Sequence, residues 1–93
     1  MSPTDPKIER FNSRYSLAVT VEGPKTRRAK AERAGVPATP AYKYFKVKSW
    51  VHDMEQGNPV PGTTALEDVV TEDAAVAENA GFSKARYWAQ TSL

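Results

Sequence analysis

The chain is organised around the stretch Tyr42-Lys43-Tyr44-Phe45-Lys46-Val47-Lys48-Ser49-Trp50-Val51-His52. It is rich in aromatic and β-branched residues that alternate in character, a pattern typical of a half-buried strand. Because successive strand side chains point to opposite faces, Phe45, Val47 and Val51 share a face suited to a hydrophobic core. The opposite face is aromatic and basic, with Tyr42, Tyr44, Lys46, Lys48, Trp50 and His52. We expect this second face to meet solvent or a partner.

Length and composition indicate one small domain. The chain has 93 residues and no cysteine, so disulfides, thiolate nucleophiles and Cys-based zinc sites are excluded. Its longest apolar run, at 74–77, is far shorter than the roughly 18 residues of a membrane helix. The N-terminus lacks the apolar core of a secretory signal. We therefore expect a cytoplasmic protein that makes no membrane contact.

The charges divide along the chain. Residues 1–48 hold 11 Lys and Arg against 4 Asp and Glu, a net charge of +7, whereas residues 49–83 hold 7 acids and no Lys or Arg. The simple interpretation is a helix with a solvated acidic face. The functional alternative is a charge-polarised surface that orients the domain on a charged partner.

A second strand is predicted before the central one. Residues 14–22 alternate with Tyr15, Leu17, Val19 and Val21 on one side, and we expect Gly23-Pro24 to end the strand. Residues 1–13 contain two prolines and many polar groups, which predicts a flexible N-terminal arm. Residues 14–93 then form a single α+β domain.

A basic loop is predicted at 23–41, between the two strands. It has almost no bulky apolar group, and such long connections tend to be functional or disordered. One interpretation is a solvated, mobile loop, and the other is a basic arm that reaches for phosphate or an acidic protein. Its basic residues are Lys25, Arg27, Arg28, Lys30 and Arg33.

The C-terminal third is predicted to hold a helix and then a strand. Thr64 and Glu67 match a capping box, and apolar residues follow at helical spacing, which predicts a helix over 65–80 that ends at Gly81. Beyond Phe82, alternation of Lys84, Arg86 and Trp88 with smaller residues favours a third strand at about 84–90.

These elements predict a small β-β-α-β domain of the α+β class, in which one amphipathic helix covers one face of a three-stranded, largely antiparallel sheet. The other face would be uncovered, and contiguous apolar patches usually mark contact sites. The predicted partner-binding residues are Tyr42, Tyr44, Lys46, Lys48, Trp50, Lys84, Arg86 and Trp88.

Two kinds of partner suit this face. We expect another protein chain first, as a homo-oligomer or in a complex where this chain serves as adaptor, inhibitor or structural subunit. The alternative is single-stranded RNA or DNA, whose bases stack on aromatic rings while lysine and arginine follow the phosphates.

An enzyme is not expected. His52 and Asp53 are adjacent in sequence, so on a strand they point to opposite faces and do not form a dyad. No nucleophile elbow, phosphate-binding loop or metal-ligand spacing is present in the sequence. We predict no catalytic residue, no metal, no cofactor and no small-molecule substrate.

Overall fold

The computed structural model describes residues 6–27 and 41–93 of the chain. In this part of the chain an antiparallel sheet precedes a C-terminal helix. Its elements are β1 (Lys7–Arg10), β2 (Tyr15–Arg27), β3 (Tyr42–Asp53), β4 (Asn58–Pro59), β5 (Ala65–Val70) and α1 (Ala74–Ser92). The predicted α+β class, with a helix on one face of an antiparallel sheet, is confirmed. Within residues 6–27 and 41–93 the sheet has five strands, where three were predicted.

The two strands predicted from alternation form the centre of the sheet. β2 pairs antiparallel with β3, with Leu17 opposite Val51 and Val21 opposite Val47. β1 pairs with the other side of β2. β4 and β5 both pair with β3, at different ends of it. Part of the predicted N-terminal arm is therefore a strand, and residues 1–5 lie outside the described residues.

The predicted end of the first strand at Gly23-Pro24 is wrong, because β2 continues to Arg27. The register shifts between Glu22, opposite Lys46, and Lys25, opposite Tyr44. Gly23 and Pro24 thus face a single residue of β3, which is a β-bulge, a position where a proline needs no ladder hydrogen bond. Gly23 has φ 139°, a conformation that glycine adopts without steric cost.

The predicted helix at 65–80 and strand at 84–90 are both wrong. Residues 65–70 form β5, where Val69 lies opposite Phe45, and the helix begins only at Ala74. The β-branched pair Val69-Val70 fits a pleated strand better than a helix. The helix cap is Asp73, whose side chain accepts a hydrogen bond from the Ala75 N–H at 2.9 Å.

Helix α1 runs through Gly81 because its buried stripe is made of small residues. Ala77, Gly81, Ala85 and Ala89 recur every four residues and are buried together with Phe82. This spacing matches the helical period. It is easily overlooked when only bulky apolar residues are taken as the signal for a buried helix face. Small side chains let the helix axis approach the sheet closely.

The core lies between α1 and one face of the sheet. The predicted core residues of β2 and β3 are confirmed, since Leu17, Val19, Phe45, Val47 and Val51 are buried against the helix. Tyr87, on α1, is 56% exposed. The described residues include no helix that is long and apolar enough to span a membrane.

Candidate functional site

The sheet has one face that α1 does not cover, here called the open face. Cross-strand partners share a face, so the register assigns its members from all five strands. They are Ile8, Arg10, Ser16, Ala18, Thr20, Glu22, Lys25, Arg27, Tyr42, Tyr44, Lys46, Lys48, Trp50, His52, Pro59, Leu66, Asp68 and Val70.

Five of the eight predicted partner-binding residues lie on the open face, but their exposure differs. Lys46 and Lys48 are exposed, as expected. Tyr42 and Trp50 are half-buried, and Tyr44 is only 6% exposed. The expectation that the Tyr44 ring is presented to a partner is therefore wrong.

Arg27 is what covers Tyr44. Its guanidinium carbon lies 4.3 Å from the centroid of the Tyr44 ring, and Nη2 donates a hydrogen bond to the phenol oxygen at 3.1 Å. The same guanidinium donates from Nη1 to Asp68 Oδ2 at 3.2 Å. One arginine thus joins β2, β3 and β5 across the open face.

The bulge explains how the predicted loop residues Lys25 and Arg27 reach this face. Two residues of β2 stand opposite one residue of β3, so the alternation shifts by one position and the odd-numbered cations join the even-numbered tyrosines. Lys25 forms an ion pair with Glu22 at 2.8 Å, which lowers the pKa of the Glu22 carboxyl. The other predicted loop residues, Arg28, Lys30 and Arg33, lie outside the described residues.

Trp50 lies at the middle of the open face with its polar group already bonded. Its Nε1 donates to His52 Nδ1 at 3.2 Å, and the ammonium of Lys48 is 5.5 Å from the ring centroid. Ala18, its partner across β2, is fully buried. The half-buried indole is therefore part of the open face and does not protrude from it into solvent.

Sequence reasoning missed the exposed apolar residues of this face. Leu66 is 77% exposed and Val70 is 66% exposed, both on β5, and Ile8 on β1 is 51% exposed. Leu66 and Val70 had been assigned to the buried stripe of a helix, and Ile8 to a flexible arm. The adjacent β-branched residues at 69–71, placed after a Pro-Gly turn, are the signal that would have indicated a strand.

The predicted site residues Lys84, Arg86 and Trp88 do not lie on the open face. They belong to α1, which packs on the opposite face of the sheet. Trp88 packs against the core, Arg86 forms an ion pair with Glu9, and Lys84 is exposed. These residues were predicted to lie on a strand of the sheet. They lie on the helix instead, and therefore on the other side of the domain.

The centre of the open face is a shallow depression of about 680 Å³. Its walls combine the lysines of β3 with the apolar and acidic side chains of β5. The lining residues are Pro6, Thr20, Glu22, Lys46, Val47, Lys48, Trp50, Leu66, Glu67 and Asp68.

The titratable groups near the end of β3 are engaged in structure. Asp53 accepts hydrogen bonds from Arg14 Nη2 at 3.1 Å and from the N–H groups of Glu55 and Gln56. The Arg14 hydrogen bond, with these N–H groups, holds the pKa of the Asp53 carboxyl below its ordinary value. The His52 side chain instead accepts a hydrogen bond from Trp50. The neighbouring residues His52 and Asp53 therefore contact different partners and not each other. Residues 6–27 and 41–93 contain no cluster of three potential metal ligands.

Comparisons of the chain with protein families, with curated proteins and with solved structures found no match. Its function must therefore be inferred from the chemistry of the open face. That chemistry is an apolar and aromatic surface whose centre carries two exposed lysines, with Glu22 and Asp68 on the strands beside Lys46.

Proposed function

We propose that this chain is a small, non-enzymatic binding module that acts through protein–protein contacts made by the open face. The observation that supports the proposal most is the exposure of Leu66, Val70 and Ile8 on the face opposite the helix. A monomer seldom leaves such residues uncovered on one surface, and apolar surface of this kind marks contact sites.

The apolar residues form a band across the sheet. Ile8 stands opposite Ala18, which stands opposite Trp50, and Leu66 lies beside this row on β5. A half-buried indole in the same row as aliphatic side chains is the kind of anchor on which protein interfaces concentrate their binding energy. This band supports a protein partner with an apolar contact surface.

The charges add a preference for acidic groups on that partner. Lys46 and Lys48 are exposed at the centre of the band, and no carboxylate of the described residues lies within salt-bridge distance of either. Charges placed this way raise association rates and select partners more than they add affinity. An apolar surface rimmed by Asp or Glu would fit both features.

Single-stranded nucleic acid is the second candidate, supported by the same two lysines beside Trp50. Stacking of bases requires open ring faces. Tyr44 has the Arg27 guanidinium over its ring, and Trp50 has Lys48 near its ring, so stacking on either would displace a cation. These contacts favour the protein partner.

The test compares substitutions on the two sides of the domain. Leu66→Glu and Lys48→Glu alter the open face, whereas Tyr87→Glu alters another exposed apolar site, on α1, and serves as the control. We expect affinity enrichment from the source cells, quantified by mass spectrometry, to lose its protein partner with the first two variants and to keep it with the third. Thermal melts establish that all three variants fold. Retention of the same partner by folded Leu66→Glu and Lys48→Glu would contradict the proposal.

A direct assay separates the two candidates. Fluorescence anisotropy of a labelled single strand of about twenty nucleotides, at about 50 mM salt, is expected to show no binding at micromolar protein. Binding that weakens with salt and disappears in Lys46→Glu with Lys48→Glu would instead support nucleic acid. Arg27→Glu is unsuited to this purpose because it would also remove the contact with Tyr44.

A further inference from the structure

Strand β5 is an outer strand of the sheet. Among the residues described by the structure it pairs only with β3, so its other side carries backbone N–H and C=O groups suited to another strand. Natural proteins protect such edges with charged side chains, above all lysine, with proline or with a bulge. The sequence of β5, Ala-Leu-Glu-Asp-Val-Val, carries the acids Glu67 and Asp68 but neither lysine nor proline, and its pairing with β3 is regular.

We propose that β5 pairs antiparallel with β5 of a second copy of this chain, about a two-fold axis that passes beside Asp68. The two five-stranded sheets would then form one sheet, with both open faces on the same side. This inference goes beyond the proposed function because it concerns the strand edge, although Leu66 and Val70 of the open face also take part in it.

The side-chain pattern of β5 selects this register. A two-fold axis perpendicular to the sheet keeps the two open faces on one side and places one residue opposite its own copy. With Glu67 at the axis, Leu66 would face Asp68 of the second copy, and with Val69 at the axis, Val70 would face Asp68. Only Asp68 at the axis places Leu66 opposite Val70, and it does so twice.

The charge at the axis is compensated. Two carboxylates directly opposite one another destabilise a strand pair. Each Asp68, however, already accepts a hydrogen bond from Arg27 of its own chain at 3.2 Å, so two guanidinium groups accompany the two carboxylates. The exposed Leu66 and Val70 are then covered by each other across the axis.

Cysteine cross-linking tests the register, since the chain has no cysteine of its own. Facing residues in an antiparallel pair have Cα atoms about 4.5–5.5 Å apart, within the range that a disulfide spans. We expect Asp68→Cys to form a covalent dimer under mild oxidation. Leu66→Cys alone should stay monomeric on a non-reducing gel, because its copy lies four residues, or about 13 Å, along the strand.

The double variant Leu66→Cys with Val70→Cys is the second arm of the test. Its two cysteines are about 13 Å apart within one chain and cannot join there, but they face each other between copies. We expect this variant to form a covalent dimer that neither single variant forms. Rapid cross-linking of Leu66→Cys alone, or no cross-linking of Asp68→Cys, would overturn the proposed register.

Sedimentation of the unmodified chain measures the association itself. The range should run from about 10 µM to about 1 mM, because one pair of short strands buries less area than a typical stable interface. We expect the dimer fraction to rise with concentration and to be lost in Leu66→Lys with Val70→Lys, but not in the control Tyr87→Lys. A monomer throughout would overturn the proposal while leaving the binding of other proteins by the open face intact.

Discussion

Gly81 of α1 packs so closely against Val19 of β2 that a Cβ atom on the glycine would lie 2.8 Å from the valine Cγ1. The Cγ1 of Val47 would be equally close. Both valines are fixed in the sheet and stiff at χ1, so neither can move aside easily. The glycine therefore sets the distance between helix and sheet.

Gly81→Ala is expected to lower the melting temperature. Overpacking costs about 1–3 kcal/mol, which exceeds the roughly 0.5–1 kcal/mol that alanine gains over glycine inside a helix. Val19→Ala removes the methyl groups of one of the two valines that the new Cβ would meet. Val19→Ala should therefore cost less stability in the Gly81→Ala variant than in the natural chain. Urea denaturation of the four proteins measures this coupling. A melting temperature that rises in Gly81→Ala would mean that the interface has room to spare.

Thr63→Val is expected to destabilise the corner after β4 by about 1–3 kcal/mol, because it leaves the buried Val51 N–H without a partner. The Thr63 hydroxyl donates to the Val60 carbonyl at 2.6 Å and accepts from the Val51 N–H at 3.2 Å. Thr63 is fully buried, whereas its neighbour Thr64 is exposed. Thr64→Val is thus the matched control and should change the free energy of unfolding little. Equal effects of the two substitutions would refute this role of the hydroxyl.

Asp53→Asn is expected to lower stability at neutral pH, and the difference from the natural chain should shrink in acid. The folded-state pKa of Asp53 is depressed, mainly by the Arg14 hydrogen bond. Its stabilising contribution is therefore present above the unfolded-state pKa of about 3.9 and is lost as pH falls through the lower folded-state value. Melting temperatures measured from pH 7 downwards check this.

The control for Asp53 is Glu55→Gln, since Glu55 also lies near Arg14 but is exposed, with its carboxylate 3.7 Å from Nε. Exposed pairs of this kind contribute little, so we expect a nearly unchanged melting temperature at every pH. A loss of stability in Asp53→Asn that stays constant from pH 7 to well below pH 4 would show that the charge of Asp53 is not what matters.

Arg27→Ala is expected to lower the free energy of unfolding, because it removes a cation–π contact with the buried Tyr44 ring. Lys25→Ala removes an exposed ion pair two residues earlier on the same strand, and such pairs contribute little. Arg27→Lys should not restore the loss, because lysine lacks the planar fork that reaches both the phenol and Asp68. Urea denaturation ranks the three variants by their free energy of unfolding. A Lys25→Ala variant as unstable as Arg27→Ala would argue against a special role for Arg27.

The sequence was sufficient to predict the α+β class and the core face of β2 and β3, because alternation over nine or more residues carries that information. The C-terminal third was misread for an opposite reason. Leu66, Val69 and Val70 fit a helical spacing by chance, while the true helical stripe consists of alanines and a glycine. Pairing with Phe45 and Lys48 fixes β5 as a strand, in agreement with the β-branched residues at 69–71 and against the helical spacing.

The candidate site was predicted in part for the same reason. Lys46, Lys48 and Trp50 follow directly from the alternation of β3. The contact of Arg27 with the Tyr44 ring depends on the bulge. Without the bulge, simple alternation along β2 would place Arg27 on the same face as the core residues of that strand. A glycine-proline pair indicates a break in a strand, but it does not reveal that the strand resumes.

The bulge also makes the far end of the hairpin sensitive to the relative lengths of its two strands. Deleting Pro24 would leave one residue opposite Phe45 and keep Arg27 opposite Tyr42, so we expect a melting temperature close to that of the natural chain. Inserting one residue between Tyr44 and Phe45 would match the two strands in number, yet it would turn Tyr44 and Arg27 towards the side of the helix. That variant should melt at a lower temperature. Substitutions in this segment are local events, whereas a single inserted residue exchanges the inside and the outside of everything beyond it.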